Sequence, residues 1–271
     1  CWLRYNNGTI IDFGFNTANG DIFGVELTVA SYEHKWTHVA MAWERNTNSN
    51  DTAISSSDAE MWINGEKQTL SYVVGSNSNN FTVTAQNDIF FGDYTSGNYE
   101  YAGFITEFSL FQDQLTTAEV GELYNDGKAL DAQLCSNDNL SGYWRNNGLS
   151  TWSNILTPGT NDGSVSNASF AETMLITAGV DGSRDSQGFL MNRQRATNSY
   201  NAPSSTEDAY YVEVMNSDTL KITGDNITME AWVNLDLVGD DYQRIMDLCT
   251  GTNSTNGYGM YVHTDGKAYV A

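Results

Sequence analysis

The residues able to do chemistry are few and scattered. Glycosidic-bond cleavage needs two carboxylates flanking the bond, yet Glu230 stands alone between Thr228 and Trp232, and Glu207-Asp208 lies in a loop with no third acid in step. A serine or cysteine nucleophile needs a neighbouring base, and the chain has 3 histidines. His38 falls within an alternating strand pattern, where the ordinary role is a hydrogen bond to a neighbour, and His263 falls on an exposed strand face. Cys1, Cys135 and Cys249 are widely spaced without a C-x-x-C pair, so they read as free thiols. Tyr94, Tyr99 and Tyr101 crowd one polar loop and are candidates for stacking on a sugar ring, with core packing as the rival role.

These residues are carried by 271 residues, 40% hydrophobic and 12% aromatic, with 24 glycines and 2 prolines, a globular composition. Lys plus Arg number 12 against 34 Asp plus Glu, a formal charge of −22. Such a field repels phosphate backbones and anionic headgroups, which argues against nucleic-acid partners. No apolar run approaches the roughly 18 residues a membrane-spanning helix needs, so no membrane insertion is expected. The chain opens on Cys1 without a leader pattern and reads as a window of a longer polypeptide.

The elements that must position these residues are short alternating strands separated by Gly, Asn and Asp, the pattern of antiparallel sheet with one buried face. Val39, Met41 and Trp43 share one strand face, with His38, Ala40 and Ala42 on the other. Met61 and Ile63 lead into Asn64-Gly65, a two-residue hairpin turn. Phe104, Phe108 and Leu110 form a further face. Ile227, Met229, Ala231 and Val233 alternate with Thr228, Glu230 and Trp232, and Tyr258, Met260 and Val262 run into Asp265-Gly266. One helix is predicted near 117–125: Thr116 and Glu119 form a capping box, Val120, Leu123 and Tyr124 an apolar stripe, and Gly127 a left-handed stop. The pattern lapses into polar residues over 129–141, read as a boundary between two units.

Five ordered segments resemble the laminin-G-like branch of the concanavalin-A-like jelly rolls: Trp36-Thr37-His38-Val39-Ala40, Met61 to Glu66, Ile89 to Asp93, Ala102 to Phe108, and Leu115 to Gly127. Thr106 departs from the aspartate usual in that family. The pattern begins again at Leu140-Ser141-Gly142-Tyr143-Trp144 and continues through Trp152 to Ser164, Tyr210 to Val214 and Asn226 to Val233, with Asn154 in place of an aspartate. The resemblance implies an all-β, antiparallel jelly-roll sandwich.

Because the first match lacks opening strands and the second lacks closing ones, the chain is expected to hold parts of two tandem sandwiches: 1–131, a linker at 132–139, and 140–271. Strand edges left open this way would be covered by chain beyond Cys1 and Ala271. The alternative is one permuted sandwich whose second half supplies strands to its first, and pairing of the strand around Ile227 to Val233 with that around Phe104 to Leu110 decides for it.

Related pentraxins bind calcium through loops, which implies Asp93, Asn98 and Glu100 as one half-site and Asp247, Asn253 and Asn256 as another, with ordinary turn roles as the alternative. The function expected is a non-enzymatic binding or adhesion module of a large repetitive extracellular, cell-surface or virion protein. Its partners would be glycans, surface proteins and neighbouring repeats. A purely structural repeat building a fibre, appendage or capsid decoration ranks second, and a glycoside hydrolase or lyase last.

Overall fold

The computed structural model describes residues 2–6, 10–14, 35–44, 59–69, 88–91, 103–145, 151–166, 169–176, 186–191, 211–215, 217, 219–220, 226–235, 243–250, 255–262 and 266–270. The strands are, in order, β1 (Trp2–Asn6), β2 (Ile10–Gly14), β3 (Thr37–Glu44), β4 (Ala59–Ile63), β5 (Glu66–Lys67), β6 (Ile89–Phe91) and β7 (Gly103–Phe111). After helix α1 (Thr117–Tyr124) come β8 (Leu140–Trp144), β9 (Thr151–Trp152), β10 (Gly163–Ser166), β11 (Ser169–Ile176) and β12 (Ser186–Met191). The last are β13 (Tyr211–Val214), β14 (Asn226–Leu235), β15 (Gln243–Thr250), β16 (Thr255–Val262) and β17 (Gly266–Val270). The protein is all-β with one short α-helix among the described residues, where every strand pairing is antiparallel. No helix there is long and apolar enough to cross a membrane.

Two sheets form. One has the order β2-β1-β17-β16-β15-β6-β13-β10-β9, the other β11-β12-β7-β14-β3-β4-β5, with β8 also bonded to β7. β14 runs between the first-half strands β3 and β7, from Asn226 opposite Glu44 to Val233 opposite Thr37, and from Thr228 opposite Phe111 to Leu235 opposite Gly103. This corrects the division into parts of two sandwiches. Without β14 the facing edges of β3 and β7 would carry rows of unpaired backbone groups, and the chain's own second half fills that gap. The supposed linker at 132–139 is likewise fastened down: Ala132 is buried, Asp131 pairs with Arg145 at 2.7 Å, and the Asn137 side chain donates to Asp113 at 3.0 Å.

The two sheets meet through aromatic side chains. Phe91 of β6 packs edge-on against Phe108 of β7 with ring centres 4.7 Å apart and lies 5.7 Å from Trp144 of β8, while Trp152 of its own sheet packs edge-on against it at 4.8 Å. Val39, Met41, Met61, Ile105, Leu110, Ile227 and Met229 are buried. The opposite face of β3, β14 and β7 is buried too, which the single-face expectation missed. There Ala40, Ala42, Trp62, Phe111 and Tyr143 pack against Leu115, Val120 and Leu123 of the α1 segment. A second cluster joins Trp232 to Ala129, with Trp36 and Tyr124 packed on it.

The local signals act as their chemistry demands. Asn64 and Gly65 both have positive φ, as the two central residues of a tight hairpin turn require, and β4 pairs with β5 across them. The capping box at Thr116 and Glu119 is present. The helix ends two residues earlier than Gly127 suggested, with Asn125 as the left-handed cap, and Asp126 and Gly127 remain left-handed after it.

Strand β7 contains a bulge. Glu230 faces Ser109 and Trp232 faces Thr106, so Glu107 and Phe108 together oppose Ala231, and Glu107 takes a left-handed backbone, the geometry by which an extra residue is absorbed into a ladder. The extra residue reverses the alternation along β7. The row of Leu110 therefore continues to Ile105, which pairs with Val233, and not to Phe104 as strict alternation predicts.

Candidate functional site

A layer of buried polar side chains lies on the helix-covered face of β3, β14 and β7. Glu230 projects from the middle of β14 and is 3% exposed. On one side its Oε2 meets His38 Nε2 of β3 at 2.9 Å, and on the other its Oε1 accepts a hydrogen bond from the Ser109 hydroxyl of β7. His38 and Ser109 are fully buried. Because β14 is central, one carboxylate finds a partner on each flanking strand. His38 also lies 5.4 Å from the Trp232 ring and 6.0 Å from that of Tyr124, while its Nδ1 has no hydrogen-bond partner among the described residues.

The bulge supplies the second part of the layer. Buried Glu107 accepts a hydrogen bond from the Tyr143 hydroxyl of β8, and Tyr143 stands opposite Ser109. The Arg145 guanidinium lies 5.8 Å from the Tyr143 ring centre and pairs with Asp131. The same layer holds Thr228, whose hydroxyl donates to the Asp113 carbonyl at 2.7 Å and accepts from Leu115 N–H at 3.0 Å, tying the start of the covering segment to β14.

The chemical order of this layer matters. In nucleophilic hydrolysis a histidine takes the proton of the hydroxyl while the acid orients the histidine. Here the carboxylate is in the middle and both Ser109 and His38 turn toward it, so the imidazole does not face the hydroxyl. The groups are sealed beneath α1, and their chemistry is the pairing of buried polar atoms across three strands. His38 thus has the ordinary strand role expected of it. Glu230 is not alone, however: its partners lie 192 and 121 residues away in sequence, which no local pattern reveals.

Asn154, which replaces an aspartate of the resembled pattern, ties the loop after β9. Its Oδ1 accepts from Leu156 N–H at 3.1 Å and Tyr143 N–H at 3.4 Å, and its own N–H donates to Asp162 at 2.9 Å.

Of the residues proposed for calcium, Asp93, Asn98, Glu100 and Asn253 lie outside the described residues, as do the stacking candidates Tyr94, Tyr99 and Tyr101. Asp247 lies in β15, opposite Phe90 on one side and Gly259 on the other, and Asn256 lies in β16. Phe90 pairs in turn with Glu213, so Asp247, Phe90 and Glu213 occupy one cross-strand row. Burial, followed by a hydrogen bond and like charge from Asp88, raises the Glu213 carboxyl above its ordinary pKa. Among the described residues no group of three or more His, Cys, Asp and Glu side chains converges as metal ligands would.

Other titrating groups answer to their surroundings. Glu119 is held below its ordinary value: partial burial raises it, but hydrogen bonds from the Thr116 backbone and side chain and from Asn137 outweigh that. Burial, then the carboxylates of Asp126 and Glu66, raises the Tyr124 phenol. Cys135 is a free thiol pushed up to about 11 mainly by burial, far from the thiolate character of a reactive cysteine.

No family model, curated protein or solved structure matches the chain.

Proposed function

We propose that the protein is a non-enzymatic recognition module with a laminin-G-like, concanavalin-A-like jelly-roll sandwich, carried by a large extracellular, cell-surface or virion protein and binding a glycan or surface ligand. One observation carries the reading: residues of separate motif segments meet in space. Trp36 and His38 of the W-x-H-V-A strand pack with Tyr124 of the L-Y-x-x-G helix end, whose ring stacks on Trp232 at 5.9 Å. The Gly65 of the hairpin turn lies so close to Tyr124 that an added Cβ would sit 2.8 Å from its ring. Segments that pack as one unit support their resemblance to one family pattern. The polar groups of the buried layer are occupied in holding strands together, which favours binding over catalysis and leaves recognition to loops.

Array binding of the intact chain to glycans, with Tyr94→Ala, Tyr99→Ala and Tyr101→Ala variants, tests the reading. Retention of a defined glycan that is lost in at least one variant is the expected result. If no glycan or cell-surface ligand is retained, the recognition role falls and the structural-repeat role replaces it. Calcium is proposed to stabilise the module through Asp93, Asn98 and Glu100, with Asp247, Asn253 and Asn256 as the other half-site, since an ion bound only by the folded state raises its stability. The melting temperature should rise with calcium and fall back with a chelator, and Asp93→Ala should abolish the shift. A temperature indifferent to both removes calcium from the proposal.

A further inference from the structure

Strands β1 and β17, near the two ends of the chain, are neighbours in one sheet, with Tyr5 opposite Lys267 and Asn6 opposite Gly266. Their antiparallel pairing puts Trp2 and Val270 at the same end of the pair. Antiparallel hydrogen bonds lie across the strands, so pulling Trp2 away from Val270 loads them one rung at a time, as in opening a zipper. The neighbouring strands are loaded in the same way. β1 leaves β2 from Trp2 opposite Gly14, β17 leaves β16 from Val270 opposite Met260, and β16 leaves β15 from Val262 opposite Gln243. Strand β15 is held to β6 by two rungs, Met246 to Phe91 and Asp247 to Phe90.

Tension then reaches β3 at Thr37 and β14 at Leu235. These strands pair with Val233 opposite Thr37 and Trp232 opposite His38, so the loaded end of the pair is the end that carries the buried polar cluster. Opening it must separate His38 from Glu230 while Glu230 stays bonded to Ser109 of β7, and must strip Trp232 from Tyr124 and Trp36. Parting a buried carboxylate from its partner exposes polar groups to an apolar surround before water reaches them, which sets a barrier at this point.

We propose that the protein is a two-stage extensible element: tension across its ends peels β1, β2, β17, β16 and β15 in sequence and then stalls at the clamp of His38, Glu230 and Ser109. This property is independent of what the module binds. The first stage frees the chain from Trp2 to Lys35 and from the residue after Leu235 to Val270, and leaves Trp36 on its cluster with Trp232. Fully extended, those two segments together span on the order of 240 Å.

Single-molecule stretching of the full chain, with handles at its two ends, tests the proposal. The expected trace has a low-force extension approaching the combined length of those two segments, then a pause, then a rupture at higher force that releases the rest. Glu230→Gln should lower the force of the second event and leave the first unchanged. Because that variant is buried, a Thr37→Cys/Val233→Cys pair provides the second measurement: these residues are direct cross-strand partners, and once oxidised they should keep the first extension and abolish the second, with restoration on reduction. A single rupture releasing the whole chain overturns the proposal. So does a first extension that vanishes in the oxidised cysteine variant, or a Glu230→Gln variant that lowers both events alike.

Discussion

The two faces of the β3-β14-β7 layer are buried by different means. Toward the second sheet, Met41, Met229, Phe108 and Leu110 are apolar and need only volume, since dispersion and the hydrophobic effect are indifferent to which neighbour provides the contact. Toward α1, the polar Glu230, His38, Ser109, Glu107 and Tyr143 lie among apolar Ala40, Ala42, Trp62 and Phe111, and each hydrogen bond they make needs its partner in one place and direction. The apolar face therefore accepts many strand arrangements, whereas the polar face is satisfied by very few. Glu230 can bond both His38 and Ser109 only when β14 lies between β3 and β7 in this register. The hydrophobic face drives collapse, and the polar face discriminates among the ways of collapsing.

Breaking the polar face should have the largest effect. Glu230→Ala leaves the His38 and Ser109 polar atoms buried without their acceptor and should destabilise the protein by about 3–5 kcal/mol in urea unfolding. On the apolar face Met229→Ala should cost about 2–5 kcal/mol, so the comparison is sharpened by repair. Adding His38→Leu and Ser109→Ala to Glu230→Met should recover most of the loss, because removing every polar member leaves nothing unpaired. A triple variant as unstable as Glu230→Ala would mean that the cluster stabilises beyond its own satisfaction.

Next comes Gly65→Ala, at the turn joining the two strand ends under Tyr124. Positive φ and the close approach to the ring act together, and a loss of about 1–3 kcal/mol is expected from chemical denaturation. Thr116→Ala removes the hydrogen bond that caps the covering helix and should cost about 1 kcal/mol by the same measurement.

The smallest effect is the pH dependence, where two carboxyls have opposite signs. Glu119 is held below its ordinary 4.5, so its contribution is present above that value and is lost as pH falls through its folded-state pKa. Glu213 is raised above 4.5, so the folded state binds its proton more tightly than the unfolded chain does. Stability gained there at low pH is lost as pH rises from the ordinary value through the folded-state one. Unfolding midpoints between pH 3 and 7 should show Glu119→Gln flattening the acid side and Asp88→Asn reducing the loss on rising pH. Reversal of either slope would contradict the assigned causes.

Features set within a few residues were legible in advance. Asn64-Gly65 encodes its turn because both positions tolerate positive φ, and Thr116 with Glu119 encodes a helix start because each supplies the other's missing bond. The bulge in β7 was not legible: Glu107 is an ordinary residue to find in a strand, and its left-handed backbone persists because Tyr143 and the flanking pairings hold it there. That single residue moved Ile105 into the row assigned to Phe104. Glu230 read as solitary for the same reason, since its partners belong to strands more than a hundred residues away. The candidate calcium residues follow from the family resemblance and the tyrosines from the make-up of one loop; of these, Asp247 and Asn256 alone fall on described strands.

By itself the sequence determined that strands form around Val39, Met61, Phe108, Ile227 and Met260, where helix α1 begins and which turn is tight, because backbone preference and side-chain alternation act over neighbours. It also determined the strongly acidic character, which is additive in composition. Only the tertiary structure decided that β14 enters between β3 and β7, that one chain closes its own open edges, and that a glutamate lies between a serine and a histidine. Those choices depend on which distant groups can meet with matched donors and acceptors, and that is a property of the assembled layer, absent from any segment taken alone.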